Sequence, residues 1–166
     1  IADVAPSFTT KRMIDDYIDR FYTKLGARSS DVKAGNYHLA RELSRWKKRI
    51  AANWDNIKLV SLDSNLDIQK NIQFGSKYQA KAVIDTGGLS PDEIGIDLIV
   101  VSDKGMDTSE FIYSKEFTQT TCDGNIATYK LKTIPTQSGA FKLGVRLFPK
   151  NDKLPHRQDF NYIKWL

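Results

Sequence analysis

The run Lys77-Tyr78-Gln79-Ala80-Lys81-Ala82-Val83-Ile84-Asp85 sets Tyr78, Ala80, Ala82 and Ile84 against Lys77, Gln79 and Lys81. A period of two marks a half-buried strand, because successive side chains leave opposite faces of a pleated backbone. Gly87 and Gly88 end the run. Downstream, Ile94, Ile96, Leu98 and Val100 form one face of a second strand, while Ile99 and Val101 make its other face apolar too. Asp103 to Gly105 reads as a turn into a strand over Glu110 to Thr121. The Asp123-Gly124 pair then suits a tight hairpin turn before Asn125 to Ile134 returns. Phe141, Leu143, Val145 and Leu147 alternate with Lys142, Gly144 and Arg146 over Ala140 to Phe148, and Phe160 to Leu166 closes the chain. With Ile57 to Leu62 upstream, about seven short strands predict an antiparallel, immunoglobulin-like sandwich.

Before Trp54 the period is helical. Thr9 or Thr10 can cap a helix carrying Met13, Ile14, Tyr17, Ile18, Phe21, Tyr22 and Leu25 on one broad stripe, with Gly26 as its stop. A polar loop with Ser29, Ser30, Asp31 and Gly35 follows. A second helix then spaces Leu39, Leu43, Trp46 and Ile50 as a narrow seam and projects Arg41, Arg45, Lys48 and Arg49 from its other side. The short loop predicts that the two helices lie antiparallel. The fold class is therefore α+β, an N-terminal helix pair over residues 1–56 followed by a β-sandwich over residues 57–166.

Composition narrows the chemistry. The chain has 166 residues, 40% of them hydrophobic, and 25 Lys plus Arg against 20 Asp plus Glu leave a net charge of +5, which does not by itself call for a polyanion partner. Cys122 is the only cysteine and His38 and His156 the only histidines, so disulfide frameworks, CxxC pairs and histidine-rich metal centres are excluded. No apolar run approaches the roughly 20 residues that span a bilayer, and no Asn-x-Ser/Thr acceptor occurs. A cytoplasmic setting and no membrane partner are expected. Opening at Ile1, the chain reads as a piece of a longer polypeptide.

Asp63, Asn65 and Asp67 alternate like the start of a calcium loop. Ile68 stands where that loop needs glycine, however, and Phe74 where it needs a bidentate glutamate. Cys122 adjoins Asp123, whose charge disfavours a thiolate. Asp15, Asp16 and Asp19 read as a solvated helix face, Asp92 and Glu93 as loop residues, and His156 as a hydrogen-bonded surface group. Gly87-Gly88 leads into a strand, whereas a phosphate loop opens onto a helix. The cations of the second helix are not interleaved with aromatics, so nucleic acid is not expected as a partner. Tyr113, Phe117, Tyr162 and Trp165 could stack on sugar rings, although aromatics at strand spacing more often fill cores.

Ala5-Pro6-Ser7-Phe8-Thr9-Thr10-Lys11-Arg12-Met13-Ile14-Asp15-Asp16-Tyr17-Ile18-Asp19-Arg20-Phe21-Tyr22 resembles the helix closing the catalytic region of bacterial α-glucan (glycogen/maltodextrin) phosphorylases. Asn36-Tyr37, Glu42-Leu43, Trp46-Lys47 and Trp54 look like the helix that follows in the branch with an extra C-terminal module. Gly95-Ile96-Asp97-Leu98, Arg146-Leu147-Phe148-Pro149 and Leu154-Pro155-His156-Arg157 to Trp165 are similar to that module's later strands. The resemblance implies a parent glycosyltransferase that releases glucose 1-phosphate from α-1,4-glucan with pyridoxal phosphate as cofactor. The family's cofactor-lysine stretch has no match here, and Arg12 and Tyr17 match a structural helix only. No catalytic, cofactor-binding or metal residue carries over. The expectation is a noncatalytic structural or assembly module whose partners are an upstream catalytic domain and, in addition, α-glucan or a second copy. A glucan-binding sandwich is the main alternative, and a nucleic-acid-binding module the lesser one.

The first helix carries more apolar circumference than one neighbour covers. Its rings are expected to stay exposed, to dimerise, or to fold onto the chain's own strands.

Overall fold

A computed structural model describes residues 9–65, 77–103, 109–134 and 141–166. Asp67, Ile68 and Phe74 of the calcium-loop reading, and Ala5 to Phe8 of the family-like helix, lie outside the described residues. The chain divides into two compact units, Ile1–Trp46 and Lys47–Leu166.

In the first unit, α1 (Thr10–Tyr17) is capped by Thr9, whose side chain accepts from the Arg12 amide at 3.2 Å. This satisfies one of the amides that a helix start leaves without an intrahelical partner. The backbone then widens into a π-helical turn, Ile18–Tyr22, and re-tightens as α2 (Thr23–Asn53). The Thr23 hydroxyl donates to the Ile18 carbonyl at 2.9 Å and seals that turn. α2 does not stop at Gly26. Glycine in a helix costs about 1 kcal/mol relative to alanine, which a run without proline tolerates, and Ser29, Ser30 and Asp31 are helical rather than a loop. The interruption comes at Ala34–Tyr37, where Ala34 is extended and Gly35, Asn36 and Tyr37 all take positive φ (56°, 55° and 61°). Gly35 and Asn36 suit that region, whereas Tyr37 is held there against its Cβ.

Among its described residues the second unit holds eight strands where about seven were expected: β1 (Lys58–Ser64), β2 (Tyr78–Asp85), β3 (Ile94–Asp103), β4 (Ser109–Glu116), β5 (Thr118–Asp123), β6 (Ile126–Thr133), β7 (Phe141–Pro149) and β8 (Lys164–Trp165). They form two antiparallel sheets, ordered β1-β2-β6-β5 and β4-β3-β7-β8. The additional strand arises at Phe117. The expected Glu110–Thr121 strand breaks there: Phe117 is buried and its amide donates to the Ile96 carbonyl at 2.8 Å, so β4 stays in one sheet and β5 joins the other. The final expected strand is also mostly loop. A 3-10 turn at Arg157–Asp159 precedes a β8 of two residues.

Alternation sorts most of the core as expected, except in β7, where Leu143 is exposed and Phe141 only partly buried. Tyr78, Ala80, Ala82 and Ile84 of β2, Ala127, Tyr129 and Leu131 of β6, Ile94, Ile96, Leu98 and Val100 of β3, and Val145 and Leu147 of β7 are all buried. Ile50, Trp54 and Ile57, on the approach to β1, are buried as well. β3 differs from the others, because its second face, Gly95, Asp97 and Ile99, is also covered.

Candidate functional site

Two features stand out from this scaffold. The first is an unburied apolar stripe. Met13, Ile14, Tyr17, Ile18, Phe21, Tyr22 and Leu25 are each between 43% and 62% exposed, and α1 and the π turn contain no buried residue. The π turn shapes this face. Tyr17 meets Phe21, four residues on, with ring centroids 5.9 Å apart, and also Tyr22, five residues on, at 6.3 Å. An α-helix brings i and i+4 together but not i and i+5; the wider turn gathers all three rings.

The second is an ion cluster on the outer face of β3. Asp97 is 1% exposed in the middle of an apolar strand. A carboxylate there is costly to bury without partners, and two arginines supply them. Arg146, its cross-strand neighbour on β7, grips both oxygens through Nε at 2.8 Å and Nη2 at 3.0 Å. Arg157 donates from Nη1 to Oδ2 at 3.1 Å, and its guanidinium lies 4.7 Å from the centre of the Phe148 ring. The Phe148 ring in turn occupies the space a Cβ on Gly95 would fill, at 2.2 Å, so only glycine fits opposite it. The segment after β7 is thereby clasped to the sheet. Lys47 Nζ donates to the Asp159 carbonyl, Tyr162 packs edge-on against Trp54, Lys164 Nζ donates to the Ile57 carbonyl, and Trp165 lies over Gly144.

The residues singled out from the sequence are scattered. Cys122 is exposed beside the Gly124 carbonyl. The His156 ring accepts from the Gln158 amide and caps the last 3-10 turn, while His38 faces Glu42 at 3.9 Å. Asp15 pairs with Lys11, and Glu93 with Arg49. Asn65 closes the β1–β2 pair by accepting from the Gln79 amide and donating to the Lys77 carbonyl. Among the described residues no group of three or more His, Cys, Asp or Glu could hold a metal ion. Of the four stacking candidates, Phe117 belongs to the core and Tyr113 is half-buried, whereas Tyr162 and Trp165 are 38% and 61% exposed. The Asp97 cluster was not expected as a unit. Its signal in the sequence was one acid inside the apolar run Ile94 to Val101.

Pyridoxal phosphate requires a lysine that can lose its proton to form an imine. Lys150 lines a cleft of about 400 Å3 with Asp92, Glu116 and Tyr129, but its hydrogen bond to Glu116, at 2.7 Å, holds it protonated above its ordinary 10.5. Lys81, Lys130 and Lys132 line a second cleft of about 460 Å3 that has no aromatic side chain to cover a pyridine ring. Neither of these two clefts fits the cofactor.

An amphipathic helical arm and a two-sheet antiparallel module, with one buried carboxylate held by two arginines, define an α+β class of protein. A sequence model of the glycogen phosphorylase C-terminal domain matches residues 54–166, and the chain belongs to that family. It is similar to the maltodextrin phosphorylase of Thermococcus litoralis, with 23% identity over 99% of this chain and 19% of that protein. It is also similar to the glycogen phosphorylases of Mycobacterium tuberculosis and Mycobacterium bovis, with 22% identity over 96% of this chain and 18% of each of those. The chain thus spans less than a fifth of the length of these relatives. No solved structure matches it. Among the described residues no helix is long and apolar enough to cross a membrane.

Proposed function

We propose that the chain is a noncatalytic docking and assembly module of a cytoplasmic α-glucan phosphorylase, and that α1 with its π turn packs on the catalytic region of the same polypeptide. In this reading residues 1–56 are the helical arm, its halves folded back antiparallel about Ala34–Tyr37, and residues 57–166 are an immunoglobulin-like sandwich. The strand orders β1-β2-β6-β5 and β4-β3-β7-β8 support that likeness, corresponding to an ABED sheet beside a C′CFG sheet. Glucan cleavage and pyridoxal phosphate belong to the parent enzyme, outside this chain.

The observation that carries the proposal is the exposed stripe. Burying Tyr17, Phe21 and Tyr22 is worth roughly 1.5 to 3 kcal/mol each at full burial, and among the described residues of their own unit none of the three is buried. Relatives more than five times as long leave room for a covering surface within one polypeptide, and a second copy of the chain is the competing occupant. The test is to introduce Phe21→Glu with Tyr22→Glu. The pair should leave the melting of the isolated chain unchanged and weaken assembly of the intact enzyme; an unaltered intact enzyme would overturn the docking role. A purified chain that released glucose 1-phosphate from glycogen and phosphate would overturn the noncatalytic reading.

Trp165 favours a second reading, a glucan platform, because its ring rests on Gly144 and is 61% exposed. Affinity electrophoresis in glycogen decides it: retardation abolished by Trp165→Ala supports a platform, and unretarded migration removes it.

A further inference from the structure

Beside the Asp97 cluster lies a pocket of about 130 Å3, formed where the loop after the last 3-10 turn crosses β7. Its walls include Arg146, Arg157, Gln158, Asn161 and the Phe148 and Phe160 rings, and no carboxylate is among them. The electrostatics are unbalanced. Two guanidiniums carry two positive charges against the single negative charge of Asp97, and a guanidinium fork offers five N–H donors. Asp97 engages two on Arg146 and one on Arg157. The nearest further acid on the loop, Asp159, turns its carboxylate to the His156 amide at 3.2 Å. The Arg146 fork already reaches both Asp97 oxygens, so the charge of Asp97 is balanced before Arg157, which clasps the segment, adds a second guanidinium.

The geometry points to a binding site for a phosphate group, held between the Arg146 and Arg157 guanidiniums with the amide side chains of Gln158 and Asn161 as further donors. A cavity of about 150 Å3 admits a benzene-sized molecule, so a pocket of about 130 Å3 has room for a tetrahedral oxyanion. Planar forks of this kind match phosphate oxygens. Asp97 keeps both arginines in place when the anion is absent, and the exposed side of Arg157, 44% accessible, provides the entrance. The site is independent of the docking role of the first helix.

The experiment is a titration of the 166-residue chain with sodium phosphate against sodium chloride at matched ionic strength, followed by NMR of the arginine Nε–H groups and of the backbone amides of residues 157–163. A parallel titration uses glucose 1-phosphate. Saturable shifts confined to these groups are expected, with affinity reduced at least tenfold in Arg157→Gln and partly kept in Arg157→Lys. Both variants retain the Arg146–Asp97 pair and should keep the wild-type circular dichroism spectrum. Saturation by inorganic phosphate assigns the site to the free anion, and saturation by the sugar phosphate alone assigns it to a monoester; either supports the site. No saturable change with either probe, or shifts that Arg157→Gln leaves unaltered, would overturn it.

Discussion

Asp97 shows how one residue sets a local architecture. Its charge lies in an apolar strand, so its removal strands two cations and loosens the segment they hold. Asp97→Asn should destabilise the chain by about 3 kcal/mol, at the lower end for a broken buried pair because Arg157 is 44% exposed, as read from the urea midpoint at unchanged slope. Gly95→Ala tests the same clasp sterically. Its Cβ would stand 2.2 Å from the Phe148 ring, and a cost of about 1 to 3 kcal/mol is expected from overpacking. Titrating groups add a pH dependence. Burial pushes the Tyr129 phenol well above its ordinary 10.0, with Asp92 and Cys122 reinforcing it, burial likewise raises Tyr78, and the Glu116 hydrogen bond raises Lys150. Folded values above unfolded ones mean stability that is complete below about pH 10 and lost as pH rises past it. Each of the two phenols contributes a slope of up to about 1.4 kcal/mol per pH unit, and Lys150, whose ion pair with Glu116 is exposed to solvent, contributes much less. The Tyr129 hydroxyl donates to the Pro91 carbonyl at 2.9 Å. Tyr129→Phe should therefore cost about 1 kcal/mol at neutral pH and flatten the alkaline loss, measured as melting temperature against pH. An unchanged alkaline slope would show that Tyr129 does not carry it.

At the scale of elements, legibility follows the strength of the local signal. β2 and β6 alternate cleanly, and the sequence places them and β7 within a residue or two of where they lie, although β7 buries Val145 and Leu147 while leaving Leu143 exposed. The Thr9 cap and the apolar stripe are legible for the same reason, a periodic pattern with a defined start. Phe117 is not legible. No glycine or proline marks the point where β4 passes to the other sheet, and the break depends on a tertiary bond to the Ile96 carbonyl. The π turn is equally silent, because nothing in Ile18–Tyr22 distinguishes it from α-helix. Gly26 misleads where Gly35 informs. A lone glycine in open space stays helical at small cost, whereas Gly35 followed by Asn36 provides two residues tolerant of positive φ. Tyr37 lacks that tolerance and its ring is 51% exposed, so Tyr37→Gly should relieve roughly 1 kcal/mol of backbone strain. Slower amide exchange over residues 38–45 would register it; faster exchange would mean that the tyrosine ring stabilises the break.

At the scale of the whole molecule, the family membership is established by residues 54–166, while the role of what precedes them rests on surface chemistry. The clasped β unit buries its alternating apolar faces, but the stripe on α1 and the π turn stays open, and that imbalance is the reason for assigning it a covering surface in the parent enzyme. The apolar stripe itself was legible in the sequence, where seven apolar side chains crowd one helix. The ion cluster was harder to foresee, since Asp97, Arg146 and Arg157 meet only through register and a loop far along the chain. Hydrogen exchange over residues 10–25, compared between the isolated chain and the intact polypeptide that carries it, tests docking most directly. Protection appearing only in the intact polypeptide, and lost there with Phe21→Glu and Tyr22→Glu, is the predicted result; equal exchange in both would contradict it.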